Sequence, residues 1–575
     1  MHEFRVWAPR AAEVQLVVDD DTEVMTADGR GWWSVTVERA GPGSRYGYRL
    51  DGGPARPDPR SARQPDGVDG LSALVRHDTF SWSDTSWRGL TLAGAVLYEL
   101  HVGTFSSAGT FDGVVEHLPH LVDLGVDALE LLPVTEFSGE WGWGYDGVDL
   151  FAPHHAYGGP DGLKRLVDAC HQAGLGVILD VVYNHLGPAG NYLSELGPYF
   201  SSRHRTNWGD ALNFDGEGSD EVRRYVVDNA LMWFRDYHVD GLRLDAVHSI
   251  VDESAVHLLE QLAIEVGALS AHLRRPLFLI AESDRNDPRV VRSRDANGYG
   301  LDAVWADEWH HALHAALSGE RDGYYEDFGS LGMLAKALRQ AWVYDGTWSP
   351  HRGRHHGRSA AGLEGDRFVV CTQNHDQIGN RARGERLGAL VSAGRARVAA
   401  ALLLTTPFVP LLFQGEEWGA STPFQYFTDH HEPELARLVT EGRIAEFASF
   451  GWDPSAIPDP QDRSTYRRSQ LDWSEPARPP HAGLLAWYRQ LVALRRRHPA
   501  LSDPRPETTG VQVDEPRSRL IVQRGRIWVM VNLGPRQGRF GVPRDARLLA
   551  ASDSRTALEG GEVSVPSDAV AIVEI

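Results

Sequence analysis

The segment Gly241-Leu-Arg-Leu-Asp-Ala-Val-His248 has the pattern of a short buried β-strand that ends on a carboxylate. In a barrel of parallel strands, the carboxyl ends of all strands meet at one rim, where enzymes of this architecture carry their catalytic residues. An apolar run followed by an acid occurs three more times, in Val177-Ile-Leu-Asp-Val-Val-Tyr-Asn-His185, Leu277-Phe-Leu-Ile-Ala-Glu-Ser283 and Phe368-Val-Val-Cys-Thr-Gln-Asn-His-Asp376. These four segments together predict a barrel with several acids at its mouth.

Strand-like and helix-like segments alternate on both sides of these four, from about residue 91 to residue 500. Eight strands, each followed by a helix, are the sequence form of a (β/α)8 TIM barrel, here with a short insertion at about 186–220. The remaining strands are predicted at 96–101, 128–132, 303–305 and 408–413. The spacing of apolar residues predicts helices at 111–124, 163–173, 221–237, 254–273, 309–317, 391–404 and 481–498.

The two ends of the chain have a different pattern. Short runs that alternate apolar and polar residues, such as Trp33-Ser-Val-Thr-Val37 and Ile527-Trp-Val-Met-Val-Asn532, are separated by turn residues. This alternation is typical of small β-sandwiches. We therefore predict an α/β chain with an N-terminal β-sandwich at 1–90, the TIM barrel at 91–500 and a C-terminal β-sandwich at 501–575.

Composition restricts the partners and the compartment. The 575 residues include 57 Lys and Arg against 79 Asp and Glu, a formal charge of −22. Nucleic acids and anionic membranes are unfavourable partners, because binding to phosphates needs a clustered positive field. Two cysteines, Cys170 and Cys371, cannot form a disulfide framework and are expected in the core. The chain begins without a secretory signal pattern and has no apolar run long enough to span a membrane, so we expect a cytoplasmic protein.

Arg243 and Asp245 are predicted to form a pair. Alternation along the strand places both side chains on one face, while Leu242 and Leu244 point to the other face and pack on helices. A neighbouring guanidinium stabilises an ionised carboxylate. An anionic Asp245 would suit a nucleophile, although a structural Arg–Asp pair gives the same pattern.

Glu282 ends the almost wholly apolar run Leu277-Phe-Leu-Ile-Ala281. Dry surroundings raise the pKa of a carboxyl group, and a proton held near neutral pH is what a general acid needs. The alternative is an exposed Glu at the start of a loop. An ionised nucleophile beside a protonated acid would give the two roles of a retaining glycosidase.

Asp376 and His185 are the remaining polar candidates at strand ends. A third carboxylate at position 376 would bind sugar hydroxyls and favour ring distortion, whereas its alternative role is a helix N-cap. Asp180 is expected to be structural, and His185 is placed to reach a hydroxyl group.

The four segments, in this order along the chain, resemble the four signature segments of the α-amylase family of glycoside hydrolases. The resemblance covers nearly the whole chain and implies a TIM barrel with an N-terminal sandwich like a carbohydrate-binding module. It implies Asp245 as nucleophile, Glu282 as acid/base and Asp376 as stabiliser of the transition state. It also implies a second set of residues that bind the substrate, namely Tyr145, His185, Trp208, Arg243, His248 and His375.

The same resemblance implies that no cofactor and no metal are needed. The insertion after His185 is shorter than the one that calcium-dependent α-amylases usually have. A polysaccharide-binding protein on an inactive amylase scaffold is disfavoured, because all three carboxylates are present.

Longer versions of the segments resemble one branch of the family, whose members release trehalose by cutting the α-1,4 bond next to the terminal trehalosyl unit of maltooligosyltrehalose. The resemblance implies this compound or a related α-glucan as substrate, and functional pairing with a maltooligosyltrehalose synthase. A glycogen-branching or debranching enzyme stays open as the alternative, because the same triad serves hydrolysis and transfer. The chain departs from the branch in Asp307-Glu-Trp-His-His311, where Asp-Asp-Phe-His-His is more usual, and at His351, where an aromatic residue is expected.

Two smaller patterns have weaker implications. His310 and His314 have a spacing that can hold a metal, but without the accompanying Glu of a zinc motif they are expected to be core or polar helix residues. Most of the 18 tryptophans are expected in the core, and the candidates for stacking on sugars are Trp141, Trp143 and Trp208.

Overall fold

Eight parallel strands close a barrel at the centre of the molecule, which we describe from a computed structural model covering residues 1–446 and 457–575. Each strand pairs with the next one along the chain, and the last pairs with the first. The strands are Leu97–Leu100, Ala128–Leu131, Gly176–Val181, Gly241–Leu244, Phe278–Ala281, Ala303–Trp305, Phe368–Cys371 and Val409–Phe413. The predicted TIM barrel is therefore confirmed.

Alternation along the strands separates the barrel interior from the surface that faces the helices. One small apolar cluster, which includes Ile178, Phe278, Ile280 and Trp305, fills the interior. Leu242 and Leu244 belong instead to the large cluster shared with the surrounding helices, as the pattern predicts. The interior positions nearest the carboxyl ends of the strands are polar, and this polar layer is the floor of the site described below.

Helices surround the barrel. The longer ones are Leu118–Leu124, Gly159–Gln172, Ser219–Asp236, Leu258–Leu273, Asp307–Ser318, Leu331–Gln340, Ala393–Leu404, Pro433–Glu446 and His481–Arg497. The shorter ones are Val102–Phe105, Phe111–Val115, Leu193–Leu196, His375–Gly379, Leu387–Leu390, Arg463–Arg468 and Pro499–Ser502.

Two predicted features differ from the structure. The helix predicted at 111–124 is two helices, Phe111–Val115 and Leu118–Leu124, because Pro119 lacks the amide hydrogen that a continuous helix would use and instead occupies the first turn of the second helix. The strand Phe278–Ala281 is followed only by the 3-10 turns Pro288–Val290 and Arg294–Ala296 before the next barrel strand. This connection is rich in Asp, Arg and Asn and has no apolar helical spacing.

β-sheets flank the barrel on both sides in sequence, and the two predicted β-sandwiches are confirmed. The N-terminal strands are His2–Trp7, Val14–Val18, Asp21–Val24, Thr26–Gly29, Trp32–Val37, Arg45–Leu50, Ala55–Arg56 and Ser72–Ala73. The C-terminal strands are Thr509–Asp514, Arg519–Arg524, Ile527–Asn532, Gly538–Gly541, Arg547–Ala551, Ala557–Glu559, Glu562–Val565 and Ala569–Glu574.

Three hairpins extend from the barrel. They are Thr135–Glu136 with Asp149–Pro153, Phe200–Thr206 with Gly209–Leu212, and Trp348–Ser349 with Arg354–His355. Cys170 and Cys371 are both buried and free. Among the described residues, no helix combines the length and the apolar character needed to cross a membrane.

Gly241 is the position where the barrel interior is most sensitive to one added carbon. Its register partner is Phe278, and a Cβ at 241 would lie only 2.2 Å from a carbon of that ring, so Gly241→Ala should destabilise the protein by about 1–3 kcal/mol. We expect a lower thermal midpoint by differential scanning calorimetry. The matched control is Gly267→Ala in the helix Leu258–Leu273, where nothing lies within 4 Å and helix propensity predicts a neutral or stabilising effect. Equal midpoints for the two variants would contradict this account.

Candidate active site

A cleft of about 540 Å³ opens at the carboxyl ends of the barrel strands. The three predicted carboxylates and the six residues implied to bind substrate all line it: Tyr145, His185, Trp208, Arg243, Asp245, His248, Glu282, His375 and Asp376. They come from five different connections after barrel strands, up to 231 positions apart in sequence (376 − 145). The barrel rim thus brings together residues that no local motif connects.

Arg243 is the centre of the cluster. Its guanidinium is 1% exposed and Nη1 donates to both oxygens of Asp180, at 2.8 and 2.7 Å, and to Asp245 Oδ1 at 3.0 Å. Nη2 lies 3.0 Å from Glu282 Oε2. Because one guanidinium contacts both acids, the side chains of Asp245 and Glu282 are neighbours on one rim of the barrel.

Asp245 is held from two sides. Arg243 contacts Oδ1, and the Asn184 side-chain amide donates to Oδ2 at 2.8 Å. Both partners are hydrogen-bond donors, so each carboxylate oxygen has a partner of its own. Its side chain is 11% exposed, so the remaining accessible surface faces the cleft.

Glu282 has a different environment. Burial raises the pKa of its carboxyl group to about 8, since the lowering by Arg243 is opposed by the charges of Asp245, Asp376 and Asp307. Oε2 accepts a hydrogen bond from the backbone amide of Ala246 at 2.7 Å, which fixes the orientation of the group. A carboxyl with this pKa holds its proton at neutral pH, as the dry strand predicts.

Asp376 lies in the first turn of the helix His375–Gly379. The N-cap of that helix is Asn374, whose side chain accepts from Gln377 N, so Asp376 is free of the capping role that its position also suggested. Its Oδ1 accepts from the Asn380 amide at 2.6 Å, and the side chain borders the cleft.

His375 connects this carboxylate to the barrel floor. Its Nδ1 lies 2.5 Å from Glu99 Oε1, and its Nε2 lies 2.8 Å from the hydroxyl of Tyr145. Burial lowers the pKa of His375, but the charge and hydrogen bond of Glu99 outweigh it and raise the pKa to about 9. The imidazole is therefore a cation at neutral pH, next to Asp376.

Tyr145 and His185 are two further residues of the cleft lining. The Tyr145 hydroxyl donates to Asp180 Oδ2 at 2.6 Å, and its ring stacks on His375 with centroids 5.2 Å apart. His185 is fixed by the Tyr145 carbonyl, 2.9 Å from its Nε2, and stacks on Trp208 with centroids 4.7 Å apart. Trp208 remains 49% exposed, which leaves one flat face open at the cleft.

His248 also borders the cleft, and burial lowers its pKa. Its Nδ1 is buried and has no hydrogen-bond partner among the described residues. His248 therefore meets the cleft through the rest of its ring, because Nδ1 is enclosed by the protein.

The sequence patterns did not identify several other residues of the cleft. The helix Pro433–Glu446 contributes Leu435, Val439 and Arg443, and a neighbouring loop contributes Tyr426 and His430. They follow the last barrel strand by 13 or more positions, and no strand-end signal marks them (Phe413 to Tyr426). Only the return of this segment over the rim brings them to the site.

Other expectations have mixed outcomes. Trp143 lines the cleft, whereas Trp141 stacks on Tyr466 outside the lining. His351 also lies outside it, with Nδ1 3.8 Å from Glu326. His310 uses its two ring nitrogens in contacts with Thr372 and Tyr325, and His314 contacts Glu320 at 2.7 Å, so both make the contacts of polar residues on a buried helix.

Comparison with known proteins agrees with this geometry. Residues 78–208 match the alpha amylase catalytic domain, and residues 2–61 match carbohydrate-binding module 48, the isoamylase N-terminal domain. A candidate alpha amylase from Salmonella typhimurium, solved at 1.4 Å, is 38% identical with a TM-score of 0.91, covering 100% of this chain and 97% of that one. Fold and site together define an α-amylase-type glycoside hydrolase.

Relatives of similar length narrow the class. The malto-oligosyltrehalose trehalohydrolase of Arthrobacter ramosus is 53% identical over 99% of both chains, and that of Mycobacterium tuberculosis H37Rv is 51% identical over 93% of both. The chain belongs to the malto-oligosyltrehalose trehalohydrolase family. A 1,4-alpha-glucan branching enzyme from Pseudoalteromonas atlantica is 32% identical over only 54% of this chain, so the branching alternative is disfavoured.

Asp307 gives a test of the proton on Glu282. The charge of Asp307 raises the pKa of Glu282, and Asp307 is not part of the cleft lining. The substitution Asp307→Asn should therefore lower the pKa of Glu282. The alkaline limb of the kcat/KM profile should then move to lower pH. Burial raises the pKa of Asp307 itself to about 7, so its charge acts at the alkaline limb, near pH 8.

The control is Asp366→Asn, the same change before the strand Phe368–Cys371 and thus at the opposite rim of the barrel. This variant should leave the alkaline limb in place. An unmoved limb in Asp307→Asn, or one that moves to higher pH, would show that Glu282 is not the titrating acid.

Proposed function

We propose that this chain hydrolyses maltooligosyltrehalose with retention at the anomeric carbon, cutting the α-1,4 bond next to the terminal trehalosyl unit and releasing trehalose. The observation that carries the proposal is the contact of one buried guanidinium, Arg243, with both Asp245 and Glu282 at the floor of an open cleft. It holds a carboxylate and a carboxylic acid side by side, as a retaining glycosidase requires.

In the first step, Asp245 attacks the anomeric carbon while Glu282 gives its proton to the glycosidic oxygen. The C–O bond to the trehalosyl unit breaks, trehalose leaves with that proton, and a glucosyl ester forms on Asp245. The pKa of Glu282, raised to about 8 chiefly by burial, keeps the proton available at neutral pH.

In the second step, the Glu282 carboxylate takes a proton from a water molecule, which attacks the same anomeric carbon and releases Asp245. Both acids then return to their starting protonation states. Arg243 contacts both groups and neutralises negative charge in either step, since the surrounding acids raise its pKa although burial opposes the charge.

We assign Asp376 and His375 to the sugar at the point of cleavage. A positive charge develops on that ring in the transition state, and Asp376 offers a negative charge at the cleft surface. The stacked pair Tyr145 and His375 gives a flat wall, and His185, Trp208 and His248 give further contacts for hydroxyls and ring faces.

We extend the proposal to the source of the substrate, the domain boundaries and the cellular compartment. A maltooligosyltrehalose synthase would supply the substrate, as the family implies. We assign residues 1–90, 91–500 and 501–575 to the three domains, and we place the reaction in the cytoplasm because both cysteines are free and buried, which suits a reducing compartment.

The two acids should be separable by experiment. Asp245→Asn and Glu282→Gln should each lower kcat on maltooligosyltrehalose by more than about a hundredfold, because each removes a chemical step. A substrate with fluoride as leaving group needs no proton, so Glu282→Gln should still form the covalent intermediate from maltooligosyl fluoride, and Asp245→Asn should not. Near-normal hydrolysis by either variant, with circular dichroism unchanged, would remove that residue from its role.

Product analysis decides the substrate. Incubation with maltooligosyltrehalose should release free trehalose, and plain maltooligosaccharide and glycogen should be cut far more slowly, since the leaving group would lack the trehalose linkage. Chromatography and NMR identify the products. New α-1,6 branches would instead support the branching alternative.

A further inference from the structure

A cluster of two histidines and one glutamate lies beside the loop that carries Tyr145, outside the lining of the cleft. Glu136 ends the first strand of the hairpin Thr135–Glu136 with Asp149–Pro153, and His154 and His155 follow the second strand. One nitrogen or oxygen from each of the three residues lies within 4.8 Å of the other two.

The distances are close to those between ligands of one metal ion. His154 Nδ1 lies 3.2 Å and His155 Nδ1 lies 2.6 Å from the same oxygen, Glu136 Oε1. Two ligands of a tetrahedral zinc ion, with bonds of about 2.0–2.2 Å, lie about 3.3 Å apart. The 3.2 Å between His154 Nδ1 and Glu136 Oε1 already fits this ligand separation. The 2.6 Å between His155 Nδ1 and Glu136 Oε1 is shorter, so His155 would have to move outward, which its 25% exposed side chain permits.

His154 has no other partner in the described chain. Its side chain is fully buried, its ring stacks on Phe137 with centroids 3.8 Å apart, and neither ring nitrogen makes a hydrogen bond. Buried polar atoms almost always have a partner, because leaving one unpaired costs free energy. Nδ1 has only the 3.2 Å approach to Glu136 Oε1, and a metal ion between these two atoms would give it a direct ligand bond.

The local charge also favours a cation. The fully buried Glu136 accepts hydrogen bonds from the backbone amide and Nδ1 of His155, at 2.8 and 2.6 Å, and it contacts no Lys or Arg within the described ranges. A metal ion would take the place of the proton on His155 Nδ1. A second acid, Glu140, lies at the edge of the cluster, with its Oε1 3.4 Å from His155 Nε2. Buried carboxylates are normally paired with a cation or coordinate a metal.

We propose that Glu136, His154 and His155 bind a divalent transition-metal ion, with Zn²⁺ as the best match for two imidazoles and one carboxylate and with water as the fourth ligand. The ion would join the two strands of the hairpin whose loop carries Trp143 and Tyr145. Its role is structural, and the hydrolysis described above needs no metal.

The test uses the purified full-length chain, treated with a chelator and dialysed. Titration with Zn²⁺ by isothermal calorimetry should give one tight site per chain. Saturating Zn²⁺ should also raise the thermal midpoint of unfolding, because an ion that binds only the folded state stabilises that state. Co²⁺ in place of Zn²⁺ should produce the visible absorption bands of a tetrahedral site with nitrogen and oxygen ligands. Absence of a tight site in this chain would overturn the proposal without recourse to any variant.

Variants locate the ion. His155→Ala removes a partly exposed ligand and should weaken Zn²⁺ binding by about tenfold or more and abolish the Co²⁺ bands. The matched control is His204→Ala, since His204 lies with Asp215 and Glu253 in the other cluster of ligand-type residues and Arg203 already contacts both acids there. Unchanged affinity in His155→Ala, or an equal loss in His204→Ala, would show that the ion binds elsewhere.

Discussion

The buried guanidinium of Arg243 is the interaction on which the site depends. It is 1% exposed, packs over the ring of Trp305 at 4.3 Å and contacts Asp180, Asp245 and Glu282. A buried charge is costly unless it is paired, and here two of the partners, Asp245 and Glu282, are the acids to which we assign the chemistry. The same contact therefore offsets the burial of the cation and fixes the relative position of the two acids. Lysine could not replace it, because a single ammonium lacks the planar set of donors that reaches several carboxylates at once.

Acids outnumber cations in the polar layer at the carboxyl ends of the barrel strands. Burial raises the pKa of these acids by different amounts, which decides which of them keep a proton. Burial raises the pKa of Asp180 to about 6, although Arg243 opposes the shift, and raises that of Asp307 to about 7 and that of Glu282 to about 8. Since these groups repel one another when ionised, the proton stays longest on Glu282. The division of roles between two chemically similar carboxyl groups thus follows from their surroundings rather than from their residue type.

One ion pair joins each flanking region to a helix of the barrel. In the N-terminal region, Arg60 contacts Asp228 on the barrel helix Ser219–Asp236 at 2.9 Å. In the C-terminal region, Asp568 contacts Arg395 on the helix Ala393–Leu404 at 2.9 Å. Each contact joins a region outside the barrel to one of the helices that surround it.

The sequence predicted the barrel and its two flanking sandwiches from its patterns, and the nine residues around the cleft from those patterns together with the family resemblance. Period-two and period-3.6 patterns record which faces are buried, and acids at the ends of apolar runs such as Leu277–Ala281 mark the catalytic rim. Only the tertiary structure decided the contact of Arg243 with Glu282, the charge on His375 that Glu99 sets, and the place of Arg443 in the wall. These depend on which side chains meet across the barrel, and distances between residues far apart in sequence leave no periodic trace along the chain.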